Sequence, residues 1–282
     1  MKMRLCFPIA ILAAISAHAT MWTGGGARFP DGSYVWTNKT NWGGNNYPLN
    51  SGGNAQFPEN CEVTVCLDGV FTQNNGRDAQ MGSITIPASS HVTFVGNARG
   101  TNSWLTVNNV GGIRRLTIAN GARIGTSSNA KFPVNASIVV TNGSMLVLGS
   151  GIVTSGVHIA ILDGSQLKGN IGPISGGASI RLDHSLYGGG NVSNIKDGTI
   201  SLENGSVGIL SGLTLGANGT FRLAGGSSAT VTGTLYPKDT GGHFVLSGRS
   251  TLIAKSHFRT GLKTTFDIDD STVISEKEYL GL

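Results

Sequence analysis

The sequence predicts an all-β protein that folds as a parallel β-helix, and its composition and a short internal repeat support this fold class. Glycine accounts for 43 of the 282 residues, roughly twice its usual share, whereas charged residues make up only 12%. This composition excludes coiled coils and helical bundles, and a hydrophobic content of 39% argues against a disordered chain. Collagen is excluded as well, because the glycines follow no three-residue period.

An alternating apolar template recurs along most of the chain and predicts about ten coils with a period of about 21 residues. Its clear copies begin at Leu116, Ile138, Ile159, Ile180, Ile200, Phe221, Phe244 and Phe266. Weaker copies begin at Val63 and Ile84, and the 32-residue step from Ile84 to Leu116 predicts a loop around residues 96–112. Propeller blades need about 40 residues, and leucine-rich repeats need a different leucine scaffold. A parallel β-helix fits because each repeat forms one coil of short strands.

The two apolar positions of the template are two residues apart, so both side chains point to the same face of a strand. We expect one inward column from Val63 and Ile84 onward and a second from Val65 and Ile86 onward, with Phe221, Phe244 and Phe266 stacked inside. The Asn, Asp or Gly that follows is typical of a left-handed turn. This turn column comprises Asn120, Asn142, Asp163, His184, Asn204, Gly225, Gly248 and Asp270.

Residues 1–19 have the pattern of a secretory signal peptide. Lys2 and Arg4 precede an uncharged apolar stretch at residues 5–15, and Ala17-His18-Ala19 matches a small-residue cleavage site. The stretch is too short to cross a bilayer, so we expect an exported chain without a transmembrane segment. Cleavage lowers the formal net charge from +5 to +3, which does not indicate a nucleic-acid-binding protein.

Residues 20–60 differ from the repeats and predict an N-terminal cap on a β-helix that covers residues 61–282. The segment is rich in glycine and asparagine and contains Trp22, Trp36 and Trp42. A solenoid exposes its core at each end, so an atypical unit is required there. We interpret the three indoles as the core of the cap; exposed rings would instead favour a carbohydrate-stacking platform.

Cys61 and Cys66 flank residues 62–65, which have the pattern of a strand. Five extended residues span roughly 16 Å, and disulfide-bonded Cα atoms lie within about 7 Å. The odd spacing also places the two side chains on opposite faces. We therefore expect no disulfide between them if the strand forms, whereas a turn would permit one. Two cysteines without a nearby histidine also make a poor metal site.

The start of the expected mature chain carries a set of motifs that occurs in a known group of proteins. These motifs are Trp22-Thr23-Gly24-Gly25, Trp36, Asn41-Trp42-Gly43-Gly44, Pro48 and Ala55-Gln56-Phe57. Together with the repeats, they resemble secreted bacterial β-helix proteins related to autotransporter passenger domains, with autotransporter-associated β-strand repeats. The resemblance implies a right-handed β-helix that is secreted or lies on the outer bacterial cell surface. One departure is Gly53-Asn54, where the pattern usually has Gly-Asp. The resemblance implies no catalytic residues for this chain.

Arg181, Asp183 and His184 are the best candidates for a catalytic site. β-Helix polysaccharide lyases and hydrolases place acids and bases from neighbouring coils on one outer face. This group offers a carboxylate, a general base and a cation for a uronate, with Asp163 one coil away. Turn chemistry explains His184 equally well. It also explains the acidic residues Asp267, Asp269 and Asp270 near the last repeat. The motifs predict no metal site and no cofactor.

The sequence leaves three functional hypotheses. The first is an exported, non-catalytic β-solenoid of the adhesin type, whose Ser, Thr and Asn columns contact surface glycans or other cell-surface proteins. The second is a polysaccharide lyase or hydrolase, although enzymes on this fold usually concentrate charge on one face. The third is a truncated family member without an independent function. Because residues 275–282 are too few for a convincing cap, the end of the solenoid could also pair with another chain end to end.

Overall fold

The computed structural model describes residues 19–45, 47–48, 53–67, 80–96, 104–127, 130–153, 155–237, 241–261, 263–277 and 279–281. The predicted signal peptide lies outside the described residues except for Ala19. Within the described ranges the chain forms 27 strands and two short 3-10 helices, Lys39–Asn41 and Gly43–Asn45. Neither of these helices has the length and hydropathy that a membrane-spanning helix requires.

Two parallel sheets run along the solenoid, and the chain alternates between them. The first sheet contains β2 (Tyr34–Val35), β4 (Glu62–Leu67), β6 (His91–Gly96), β8 (Arg115–Ala119), β11 (Ser137–Val140), β13 (His158–Leu162), β15 (Ser179–Asp183), β17 (Thr199–Glu203), β19 (Gly219–Leu223), β22 (Gly242–Leu246) and β25 (Thr265–Ile268). The second sheet contains β1 (Thr20–Met21), β3 (Asn54–Gln56), β5 (Gln80–Ile86), β7 (Trp104–Ile113), β9 (Arg123–Thr126), β10 (Ala130–Lys131), β12 (Met145–Val153), β14 (Gln166–Ser175), β16 (Leu186–Lys196), β18 (Val207–Leu215), β20 (Ser228–Val231), β21 (Leu235–Pro237), β23 (Thr251–Ala254), β24 (Phe258–Thr260), β26 (Thr272–Ser275) and β27 (Tyr279–Gly281).

The predicted all-β fold, its parallel strands and its period of about 21 residues are confirmed. Equivalent template positions pair directly, as Leu116 does with Ile138 and Ile138 with Ile159. The regular part comprises about eight turns, whose first-sheet strands run from β8 to β25. The prediction of about ten coils was slightly too high.

Upstream of Leu116, the Val63 copy belongs to the first-sheet column as predicted, whereas the Ile84 copy was assigned to the wrong sheet. Val63 pairs with Val92, and Val92 pairs with Leu116. Ile84 belongs to β5 in the second sheet, where it lies opposite Ala55. The physical reason is that strands of both sheets alternate inward and outward residues with the same period of two, so alternation alone does not assign a sheet. Within the predicted loop at residues 96–112, Gly96 ends β6 and residues 104–112 belong to strand β7, while residues 97–103 lie outside the described residues.

The two inward columns form the core between the sheets. In the first sheet, every column residue from Leu116 to Leu246 is at most 2% exposed. Burial of each such aliphatic or aromatic side chain contributes roughly 1.5–3 kcal/mol. The predicted aromatic column is present, but only one of its pairs is stacked. The Phe244 and Phe266 rings are parallel with centroids 4.8 Å apart, whereas Phe221 and Phe244 meet edge-on at 6.1 Å. Phe266 is only partly buried, because it belongs to the last first-sheet strand.

The turn column is confirmed, and a buried serine ladder follows it. All eight predicted turn residues have φ between +45° and +64°, the left-handed region that Asn, Asp and Gly favour. Ser206, directly before β18, is fully buried. Its Oγ donates to the Glu203 carbonyl at 2.7 Å and accepts from the Ser185 N–H at 3.1 Å. Equivalent buried serines are Ser144, Ser165, Ser185, Ser227 and Ser250.

The N-terminal segment forms part of the solenoid and also contains an aromatic core. Trp22, Trp36 and Trp42 are at most 4% exposed, as their interpretation as core residues requires. The Trp36 and Trp42 rings lie 4.7 Å apart, and the Trp42 indole N–H donates to the Trp36 carbonyl at 2.8 Å. Because β1 and β3 join the second sheet and β2 joins the first, the segment continues both sheets.

Cys61 and Cys66 are both free thiols, as the strand geometry predicts. The strand Glu62–Leu67 separates them. Cys66 is buried in a small outer cluster with Val95 and Ala119, whereas Cys61 is partly buried against the main core. Burial raises the pKa of the Cys61 thiol, so the protonated form is favoured there.

Candidate functional site

The structure brings Arg181, Asp183 and His184 together at the carboxyl end of β15, an interior strand of the first sheet. Ile180 and Leu182 of β15 point into the core, so the alternating residues Arg181 and Asp183 point outward. His184 begins the turn with φ +48°. The short strand and the left-handed turn therefore place the three side chains side by side on an outer surface.

The three residues belong to a closed hydrogen-bond network. Arg181 donates from Nη2 to Asp183 Oδ2, and from Nε to Glu203 Oε2 at 2.8 Å. His184 Nδ1 lies 2.8 Å from Asp183 Oδ1. Asn204 Nδ2 donates to the same oxygen at 2.9 Å. Both carboxylate oxygens of Asp183 thus have partners; we call these five residues the charged cluster.

Glu203 and Asn204 were not among the site residues predicted from the sequence. The sequence signal that could have identified them is their position in the repeat. Asp183 pairs in register with Glu203 on the next strand. Asn204 occupies the turn-column position that His184 occupies one coil earlier. Once the repeat is aligned, both residues lie beside the predicted group.

The charged cluster stabilises the ionised form of Asp183. The amide of Asn204 chiefly lowers the pKa of the carboxyl below its ordinary value of 3.8. His184 and Arg181 act in the same direction, while partial burial opposes them. A general base works best when its pKa lies near the working pH. Asp183 is therefore a weak base, and its oxygens are already occupied.

The remaining members of the cluster are also poorly suited to acid–base catalysis. The side chain of Arg181 is 49% exposed and is shared between two carboxylates, so its charge is already compensated. The side chain of His184 is 69% exposed, so bulk water reaches it freely. Electrostatic catalysis depends on a site from which water is excluded. The arrangement is chemically a solvated ion-pair network at a turn.

The other acidic candidates do not join this cluster. Asp163 is exposed, and its Oδ2 accepts from Thr141 Oγ1 at 2.7 Å, on the coil before. Asp267, Asp269 and Asp270 are exposed near the last first-sheet strand, and Asp270 has the left-handed φ of the turn column. Across the described ranges, no group of three His, Cys, Asp or Glu residues is arranged to hold a metal ion.

Two grooves lie elsewhere on the solenoid, and neither is lined by Arg181, Asp183 or His184. One, of about 520 Å³, lies beside the N-terminal aromatic core, where the Arg28 guanidinium stacks 4.3 Å above the Tyr34 ring. The other, of about 480 Å³, crosses the second sheet and is lined only by uncharged residues. Its lining residues are Asn170, Asn191, Val192, Ser193, Ser211, Gly212, Thr214 and Thr234.

No protein-family model, curated protein or solved structure matches this chain. The fold and the geometry of its surface are therefore the structural basis for a functional proposal. The relation to autotransporter passenger domains stays a prediction from the motifs of the N-terminal segment and the repeats.

Proposed function

We propose that this protein is an exported, non-catalytic β-solenoid that acts as an adhesive surface on the bacterial cell. The observation that carries the proposal is that the charged groups of the cluster are paired with one another. Asp183 is held ionised by donors from its own and the next coil, and Arg181 is neutralised by two carboxylates. A group of this kind stabilises a turn, because the Asp183 carboxylate and the Arg181 cation are already paired within it.

The outward turn residues support an adhesive role. Asn142 Nδ2 donates to Asn120 Oδ1 at 3.2 Å, and Asn218 Nδ2 donates to Asp197 Oδ1 at 2.8 Å, each from coil to coil. Such ladders fix polar side chains on a rigid framework. A preorganised polar surface loses little conformational entropy when a glycan or a surface protein binds.

A depolymerisation assay tests the non-catalytic part of the proposal. Purified protein is incubated with polygalacturonate, alginate and chondroitin sulfate, with and without calcium, and new chain ends are measured. We expect no cleavage by protein whose β-rich circular dichroism spectrum shows that it is folded. Cleavage that disappears in Asp183→Ala and His184→Ala, but persists in the matched turn variant Asp163→Ala, would overturn the proposal in favour of a lyase or hydrolase.

A localisation experiment tests export separately. The full chain is expressed in a Gram-negative host, and intact cells are treated with an external protease. We expect the intact chain to be secreted or to be degraded at the cell surface, and the version without residues 1–19 to stay protected inside. Protection of both versions would contradict the proposed location.

A further inference from the structure

The groove of about 480 Å³ on the second sheet, which we call the neutral groove, spans four neighbouring strands. Asn170 lies on β14, Asn191 and Ser193 on β16, Ser211 and Thr214 on β18, and Thr234 directly before β21. Successive strands of this set are hydrogen-bonded neighbours. The groove therefore crosses the strands and runs along the solenoid axis.

The neutral groove forms where the strands of the second sheet depart from regular register. Pairing of β14 with β16 shifts between Lys168 and Ile171, and pairing of β16 with β18 shifts repeatedly between Gly188 and Ile195. Such irregularities bend a strand and redirect its side chains. At Gly212, an added Cβ would lie 2.7 Å from Asn191 Oδ1, so the glycine leaves room for the asparagine side chain.

Most side-chain hydrogen-bonding groups of the neutral groove have no partner among the described residues. Asn170 Oδ1 accepts from the Asn191 N–H at 2.9 Å, while the Asn170 NH₂ group remains available as a donor. Ser193 Oγ has only a long contact of 3.5 Å, to the Ile171 carbonyl. Within the described ranges, four further side chains of the groove have no hydrogen-bond partner, namely those of Asn191, Ser211, Thr214 and Thr234.

The spacing and chemistry of these groups favour a linear polymer of neutral sugars. Neighbouring strands lie about 4.8 Å apart, so the groove presents hydroxyl and amide groups at a regular rise over four strands. Hydroxyl and amide groups both donate and accept, as sugar hydroxyls do. The lining carries no charge, so it offers no cation to a uronate or a sulfated sugar.

Exposed aliphatic side chains lie on two of the same strands, outside the lining of the groove. Leu186 of β16 pairs with Val207 of β18, and both side chains are exposed. Ile209, two residues before Ser211, is 53% exposed. Because residues two apart on a strand point to the same face, Ile209 offers an apolar contact for the C–H face of a sugar ring on the face that carries Ser211.

We propose that the neutral groove binds a linear, neutral polysaccharide that lies along the solenoid axis. The inference rests on the proposed adhesive function and names its partner class. The binding itself requires only the folded chain, so export and catalysis are tested independently of it.

Affinity electrophoresis in native gels tests this proposal. The purified chain is run through gels that contain galactomannan, arabinoxylan or mixed-linkage β-glucan, with alginate as the anionic comparison. We expect at least one neutral polysaccharide to retard the protein and alginate to have no effect. The double variants Asn170→Ala/Asn191→Ala and Ser211→Ala/Thr234→Ala should each raise the dissociation constant about tenfold.

The second double variant keeps the test informative if loss of Asn170 disturbs β16. Thr272→Ala, on the exposed face of the same sheet but outside the groove, should bind like the original chain. The proposal is overturned if none of the three neutral polysaccharides retards the folded protein, or if the groove variants bind unchanged. Retardation by alginate alone would also overturn it and would indicate a cationic binding surface. If the protein is exported and non-catalytic but fails this test, only the proposed binding in the neutral groove is overturned, and the proposed function stands.

Discussion

The charged cluster and the neutral groove are both polar surfaces of the same solenoid, but their polar groups are used in opposite ways. In the cluster, Asp183 accepts from three side chains, and Arg181 joins two carboxylates. In the groove, Asn191 and Thr234 have side chains without a partner in the described ranges. Polar side chains therefore stabilise the coils in one region and remain available to a ligand in the other.

The register of the strands accounts for this difference. In the first sheet, β15 and β17 pair without interruption from Ser179 to Asp183, so polar side chains at equivalent positions meet. In the second sheet, the shifts between β14, β16 and β18 break this equivalence. Regular stacking favours internal ladders, whereas irregular stacking opens a groove.

The largest expected effect concerns the backbone contact beneath the neutral groove. A Cβ at Gly190 would overlap the Gly169 carbonyl oxygen, and neither backbone can move without disturbing both strands. We expect Gly190→Ala to lower the free energy of unfolding by about 3 kcal/mol, measured by urea denaturation.

Gly188→Ala is the matched control on the same strand. There the nearest atom to an added Cβ is Lys168 Cγ at 3.7 Å, an ordinary contact with a flexible side chain. We expect this variant to stay within about 0.5 kcal/mol of the original chain. Equal stability of the two variants would mean that the strands do not approach as closely as the register shifts require.

The regular coils could be predicted from the sequence because three local signals coincide in them. Ile138 and Val140 alternate as inward residues, and Asn142 then supplies the left-handed turn. Upstream, Ile84 carries the same alternation but lies in the other sheet, because nothing in a period of two distinguishes the sheets. Val92 occupies the position that was assigned to Ile84.

The candidate site could be predicted only in part. Arg181, Asp183 and His184 are close in sequence, so a strand followed by a turn brings them together. Glu203 joins them through the pairing of β15 with β17, which requires the register to be known. The neutral groove depends on register shifts that no repeat or motif marks, and residues 188–190 of β16 have the Gly-Gly-Gly composition of a loop.

A smaller effect on the free energy of unfolding is expected to distinguish a serine that is hydrogen-bonded in the core from one that is exposed in the groove. Ser206→Ala removes the acceptor of the buried Ser185 N–H and one donor to the Glu203 carbonyl. Because a buried amide then lacks its partner, we expect the free energy of unfolding to fall by about 1.5 kcal/mol. Thermal and urea unfolding of Ser211→Ala provide the comparison, since that serine is exposed in the groove and makes no such bond.

For Ser211→Ala we expect a change of no more than about 0.5 kcal/mol. If Ser211→Ala destabilised the chain as much as Ser206→Ala, the groove hydroxyl would be part of the internal hydrogen-bond system. The contrast between paired and open polar groups would then be wrong.

The smallest expected effect is a pH-dependent contribution from Asp183. Its pKa in the folded chain lies below the ordinary value of 3.8, chiefly through the Asn204 amide, so folding favours the ionised carboxylate. Its contribution is therefore complete above the pKa of the unfolded chain and is lost as the pH falls through the lower pKa of the folded chain. The network is largely solvated, so we expect less than about 1 kcal/mol.

The measurement compares the original chain with Asp183→Asn by urea unfolding from pH 7 to the most acidic pH at which both remain folded. The difference in unfolding free energy should be constant near neutral pH and should shrink at acidic pH, and 1 M salt should reduce it at pH 7. A difference that grows as the pH falls would mean that folding favours the protonated carboxyl. Asp183 would then have the raised pKa that a general acid requires, and the charged cluster would no longer be a closed network of ion pairs.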